Sequence, residues 1–297
     1  MSNLGNSVLR AAVLARAVLS PAASALAVAL LLGTALSRPV EAAGGSSDKP
    51  ATGTSEDEFR AMDAPSKDAP PNLKGETVEV AGATCYLSLP AQAKAPVPGV
   101  VVIHEWWGLN DWVKEQAANY AKHGYVALAV DLYHGKVATD PELAHELMRG
   151  LPQDQGVRDL VGAVKYLDSR KDVKKDRMGA VGWCMGGTYA MQLAIAAPSL
   201  KAIAINYGAL ATDKAQLARV HATLMGNFGG QDRGIPPEAI RDFEATMKSL
   251  GKPVDAKIYP DAGHAFENPN NKMGYRAQDA ADAMARMNAF FARELKH

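Results

Sequence analysis

Cysteine is scarce in this chain. Its 297 residues include two, Cys85 and Cys184, too few for a disulfide framework or a four-cysteine zinc site. The seven histidines are scattered without the spacing of metal ligands, so no metal site is expected. Net charge is absent too. Thirty-two basic residues balance thirty-two acidic ones, which leaves no basic field for nucleic acid and no acidic tail. No internal repeat is present. What remains is an ordinary globular composition, 47% hydrophobic and 22% charged, long enough to bury a sizeable core without covalent staples.

The first 42 residues differ from the rest. Met1 to Arg16 carries two arginines and no acid. Ala17 to Leu36 is almost entirely apolar, and Val40-Glu41-Ala42 has the small-x-small form of a cleavage site. This order predicts a secretory signal peptide over residues 1–42, hence export to the periplasm or beyond. An uncleaved membrane anchor is the alternative, because about 20 apolar residues also span a bilayer. No cysteine follows the apolar run, so a lipoprotein anchor is not expected. Residues 43–74 are rich in Gly, Ser, Asp and Pro and lack apolar periodicity. They read as a flexible linker, and the folded domain is expected over 75–297.

From Thr77 onward β-type runs alternate with helical ones. "VEVAGATCYLSLP" predicts a hairpin turning at Gly82, with Cys85 an inert buried thiol. "PGVVVIHE" and "YVALAVDLY" are continuous apolar runs, as in strands covered on both faces. Between them "DWVKEQAANYAKHGY" predicts a helix capped by Asp111 and stopped at Gly124. Two more helices follow, the second with Val157, Leu160, Val161 and Val164 on one face. Further strands fall at "RMGAVGW", "KAIAINYG", "HATLMGNFG" and "VDAKIYP", with helices between them and a final helix to the end. This alternation predicts an α/β fold, a mostly parallel sheet with helices on both faces. Its active site would lie at the carboxyl ends of the strands.

Gly182-Trp183-Cys184-Met185-Gly186 stands where a strand gives way to a helix. This G-x-C-x-G has the form of a nucleophile elbow, a strained strand-to-helix turn. Glycines two positions either side of Cys184 avoid clashes that a Cβ would create. The following helix aims its N-terminal N–H groups at the sulfur and favours the thiolate, and the Met185 N–H is placed to hold an oxyanion. A thiol nucleophile needs a base oriented by an acid, found later in the chain in such folds, acid first. Of the three downstream histidines, His221 opens a strand at its wrong end and His297 is terminal. His264, in a loop after the last strand, is the expected base. Asp232, in the glycine-rich loop after the preceding strand, is the expected acid, with Asp213 and Asp261 as competitors. Glu105 ends a buried strand, where a carboxylate is costly unless paired. It is expected beside the elbow, with the Trp106 N–H as second oxyanion donor. Trp107 and Tyr133 are candidates to line an apolar substrate pocket, a role that packing explains equally well.

"HEWWGLN", "GWCMGG", "GGQDRGIP" and "AGHAF", in this order, resemble the dienelactone hydrolases (carboxymethylenebutenolidases). The resemblance covers about Gly75 to the C-terminus. It implies an α/β-hydrolase fold and a triad of Cys184, His264 and Asp232, with Glu105 pairing with the thiol and governing its ionisation. It implies an enzyme that hydrolyses a dienelactone-like lactone or activated ester without a cofactor; a monomer acting on a small molecule rather than nucleic acid or membrane is expected. Two features depart from the family. The well-studied enzymes clamp a substrate carboxylate with two arginines; one position is Asn268 here, and neither Arg149 nor Arg158 aligns with the other. Arg276 could reach the site, although a solvated helix-start arginine is the plainer reading. The export signal is the second departure. A broad carboxylesterase or thioesterase, or a scaffold that binds a ligand without turnover, are the alternatives.

Overall fold

The structure, a computed structural model, describes residues 73–91 and 96–297. The expected signal peptide and nearly all of the expected linker lie outside the described residues. Among those described, eight strands form one sheet in the order β1-β2-β4-β3-β5-β6-β7-β8. β1 (Glu76–Val80) and β2 (Ala83–Ser88) make the predicted hairpin. Its turn uses two residues in the left-handed region, Ala81 (φ 53°) and Gly82 (φ 84°). β2 pairs antiparallel with β4 (Val126–Val130). Every other pairing, through β3 (Val97–Ile103), β5 (Val173–Trp183), β6 (Ala202–Asn206), β7 (Thr223–Gly229) and β8 (Val254–Tyr259), is parallel.

The helices are α1 (Asp111–Lys122), α2 (Pro141–Gly150), α3 (Gln153–Ser169), α4 (Met185–Ala196), α5 (Lys214–Leu217), α6 (Pro237–Ser249) and α7 (Ala277–Leu295). The cap of α1 is Asn110, whose Oδ1 accepts from Val113 N–H at 3.2 Å. The predicted cap, Asp111, is instead the first helical residue. Its negative charge still favours the positive end of the helix. Gly124 (φ 83°) ends the helix as predicted. On α3, Leu160 and Val164 are buried while Val157 and Val161 are partly covered.

The central strands are buried along their length; Val100 to Ile103 and Ala127 to Val130 have no accessible surface. Burying each such branched side chain contributes roughly 1.5–3 kcal/mol before entropy is counted. Cys85 is sealed in this core, and burial pushes its thiol pKa up to about 11. It stays neutral, as expected for an inert cysteine.

Parallel register sets the level at which each strand leaves the sheet. Ile103 lies opposite Gly182, Trp183 opposite Asn206, and Asn206 opposite Asn227. The residues that follow these ends, Glu105, Cys184, Tyr207 and Asp232, therefore emerge along one edge.

Candidate active site

Cys184 sits between the end of β5 and the start of α4 with φ 55° and ψ −120°. A side chain in this region is strained and persists only where its surroundings enforce it. The two flanking glycines show why. A Cβ on Gly182 would collide with the Gly186 carbonyl, and one on Gly186 with the Ile103 carbonyl of β3. The turn is pinned by Cys184 N–H donating to Asn206 O at 3.0 Å and Thr188 N–H donating to Cys184 O at 3.1 Å. Met185 is the first residue of α4, so its N–H is among those that have no partner within the helix.

The sulfur meets an imidazole. His264 Nε2 lies 3.1 Å from Cys184 Sγ, and His264 Nδ1 lies 2.7 Å from Asp232 Oδ2. Asp232 is held in turn. Its Oδ1 accepts Gly234 N–H at 2.8 Å and Ile235 N–H at 3.2 Å. Burial alone would raise the Asp232 pKa, but the hydrogen bond and charge of His264 and the two amides hold it below the usual carboxylate value. For His264, burial pulls downward. The charges of Cys184 and Asp232, with their hydrogen bonds, outweigh it and hold the imidazole well above its ordinary pKa. The Tyr207 ring packs edge-on against His264, centroids 5.2 Å apart.

Glu105 is buried two residues beyond β3. Its partners differ from the pairing implied by the family resemblance. The Tyr207 hydroxyl donates to Oε1 at 3.2 Å and Asn268 Nδ2 donates to Oε2 at 2.6 Å. The thiol is turned to His264 instead. A neutral amide, Asn268, thus meets Glu105. Burial raises the Glu105 pKa to about 7, against the pull of Asn268, His264 and Tyr207. Next to Asn268, Glu267 accepts Trp183 Nε1–H on Oε2 at 2.9 Å. Its Oε1 has no hydrogen-bond partner among the described residues. Burial takes Glu267 up to about 8, and the Glu105 charge adds to the rise despite the Trp183 hydrogen bond and Arg286.

His104, fully buried, supports this corner. Leu132 N–H donates to its Nε2 at 3.0 Å, so the ring proton is on Nδ1 and faces Glu105 O at 2.5 Å. Burial lowers its pKa and keeps it neutral. Trp106 follows on the same edge, and its carbonyl accepts the Tyr133 hydroxyl at 3.0 Å. Tyr133 and Trp107, the two candidate pocket residues, are both buried. Trp107 packs on Trp106 with centroids 4.8 Å apart, and the Tyr133 hydroxyl also reaches Met185 Sδ at 3.3 Å. Packing accounts for both.

The competing groups lie elsewhere. Asp213 caps α5 through Ala215 and Gln216 N–H. The Asp261 carbonyl accepts from Arg276 Nε at 3.3 Å, and Arg276 caps the start of α7 on the surface. Arg158 pairs with Asp154 on the outside of α3, and Arg149 is exposed in the last turn of α2.

A parallel sheet with an elbow at its carboxyl edge defines an α/β-hydrolase. The model of the "Dienelactone hydrolase family" matches residues 84–295. The chain belongs to that family and is a hydrolase of ester bonds. A Methylorubrum extorquens protein named "Putative carboxymethylenebutenolidase" is 32% identical over 220 residues, 69% of this chain and 75% of that one. A Bradyrhizobium protein named "Probable 2-oxo-3-(5-oxofuran-2-ylidene)propanoate lactonase" is 30% identical over 194 residues, 61% of this chain and 77% of its own length. The solved structure called m3DLH superposes with a TM-score of 0.69 at 28% identity, covering 75% of this chain and 98% of that one.

Proposed function

We propose that this hydrolase opens a lactone or activated ester with Cys184 as nucleophile, His264 as general base and acid, and Asp232 as the group that orients His264. The observation that carries this reading is the continuous path from Cys184 Sγ to His264 Nε2 and from Nδ1 to Asp232 Oδ2, 3.1 and 2.7 Å long.

The sulfur attacks the carbonyl carbon, and a C–S bond forms while the carbonyl oxygen takes the electron pair. The Met185 N–H at the head of α4 stabilises that oxyanion. Collapse breaks the C–O bond, and the departing oxygen takes the proton held on His264 Nε2. Water then gives a proton to the same nitrogen and attacks the thioester, and the C–S bond breaks to restore Cys184. Throughout, Asp232 keeps Nδ1 protonated and Nε2 aimed at the sulfur. Glu105 fixes the approach of Tyr207 and Asn268 to this corner.

The name of the Bradyrhizobium relative favours a lactone, and an enolate leaving group suits a thiolate. The N-terminal pattern supports export, which sequencing of the mature N-terminus tests. Activity is tested with aryl acetates and a dienelactone on wild type, Cys184→Ala and Cys184→Ser. Wild type should turn over at least one class, and both variants should lose 10²-fold or more in kcat/KM. Equal rates in wild type and Cys184→Ser would overturn the thiolate step. No turnover of either class would overturn the proposed reaction.

A further inference from the structure

We propose that a cavity between the β6–α5 loop and α6 holds the acyl part of the substrate, and that this part is apolar and uncharged. The inference rests on Cys184 being the nucleophile and goes beyond it to substrate class. The cavity has a volume of about 440 Å3, within the roughly 300–1,000 Å3 of small-molecule sites. Leu210, Ala211, Ile235, Ala239 and Phe243 give it apolar walls.

Both walls are tied to the triad. On one side, Ala209 N–H donates to Thr188 Oγ1 at 2.9 Å, and Thr188 Oγ1 donates to Cys184 O at 3.4 Å. The backbone just before this wall is pressed against the elbow helix, where a Cβ on Gly208 would strike Gly187. On the other side, Gly234 and Ile235 are the residues whose amides bind Asp232 Oδ1. Each wall is thus one or two hydrogen bonds from Cys184 or Asp232, and an acyl group lodged between them would stay attached to the carbonyl through both half-reactions.

Charge sets what that group can be. Among the described residues that line it, Asp242 is ionisable and none is a lysine or arginine. A substrate carboxylate in this cavity meets the Asp242 carboxylate. An alkyl or aryl acyl group is accepted, and a chain ending in a carboxylate is rejected.

The test uses p-nitrophenyl acetate, p-nitrophenyl hexanoate and the mono-p-nitrophenyl ester of adipic acid, which matches the hexanoate in chain length but ends in a carboxylate. Full burial of each methylene is worth about fourfold in kcat/KM, so even a half-open cavity should favour hexanoate over acetate by about tenfold or more. The adipate ester should fall well below hexanoate. Ala239→Trp fills the cavity and should bring the hexanoate-to-acetate ratio close to one. Asp242→Lys should raise the adipate-to-hexanoate ratio severalfold. Ala245→Trp, on the exposed side of the same helix, should leave both ratios as in wild type. An unchanged hexanoate-to-acetate ratio in Ala239→Trp overturns the cavity while Cys184-dependent acetate turnover upholds the catalytic reading. Absence of turnover of both acetate and dienelactone in wild type overturns the catalytic reading itself, and the cavity assignment with it.

Discussion

Glu267→Gln should change how stability depends on pH. In the folded protein the carboxyl is buried with one hydrogen bond, from Trp183, and its pKa stands at about 8 instead of 4.5. A folded pKa above the unfolded one means that the folded state holds its proton more tightly. The stability this lends is full below about pH 4.5 and is lost as pH rises towards 8. Three pH units lie between pH 5 and pH 8, and each is worth about 1.4 kcal/mol, so Glu267 accounts for roughly 4 kcal/mol of loss over that range. Glutamine keeps an oxygen for Trp183 and cannot ionise. Urea unfolding of both proteins at pH 5 and pH 9 measures the difference. The variant should gain about 4 kcal/mol on wild type between the two conditions, or roughly 10 °C in melting temperature. Glu105 titrates over an overlapping range in both proteins. Its own contribution is common to the two and drops out of the comparison. Stability curves that stay parallel from pH 5 to pH 9 would refute the claim that Glu267 is folded as a neutral acid.

Two substitutions probe the site and its scaffold. Asp232→Asn keeps the shape but removes the charge that steadies His264 and fixes its tautomer; kcat should fall by about 10² or more with little change in KM, measured on an aryl ester. Gly186→Ala drives a methyl into the Ile103 carbonyl. Displacement of β3 or of the elbow should follow, read as a loss of about 1–3 kcal/mol or more in urea unfolding and a larger loss of activity.

The fold was legible because its signals are local. Apolar runs of strand length, helices between them and glycines around Cys184 are all visible in short windows. His264 and Asp232, which line up behind Cys184, were legible by their place after successive strands. What stayed hidden is made by distant residues. Glu105 meets Tyr207 and Asn268 across 102 and 163 positions, and Trp183 meets Glu267 across 84. No window of sequence contains both ends of such a bond. Asn268 was visible as a departure from the family, yet its hydrogen bond to Glu105 required the tertiary structure. The misplaced cap of α1 has a smaller cause. Asn110 and Asp111 both suit a helix start, and only the backbone shows which side chain turns back onto Val113. Helix α5, a single turn of four residues, is too short for a periodic pattern.

The central claim is that the acyl group passes through a bond to Cys184. Rapid acid quenching of wild type during turnover of an aryl ester, followed by peptide mass spectrometry, measures it directly. The acyl mass should appear on the peptide carrying Cys184 and be absent from Cys184→Ala, which should also be inactive. An acyl group on a different side chain, or turnover that persists without this sulfur, would contradict it.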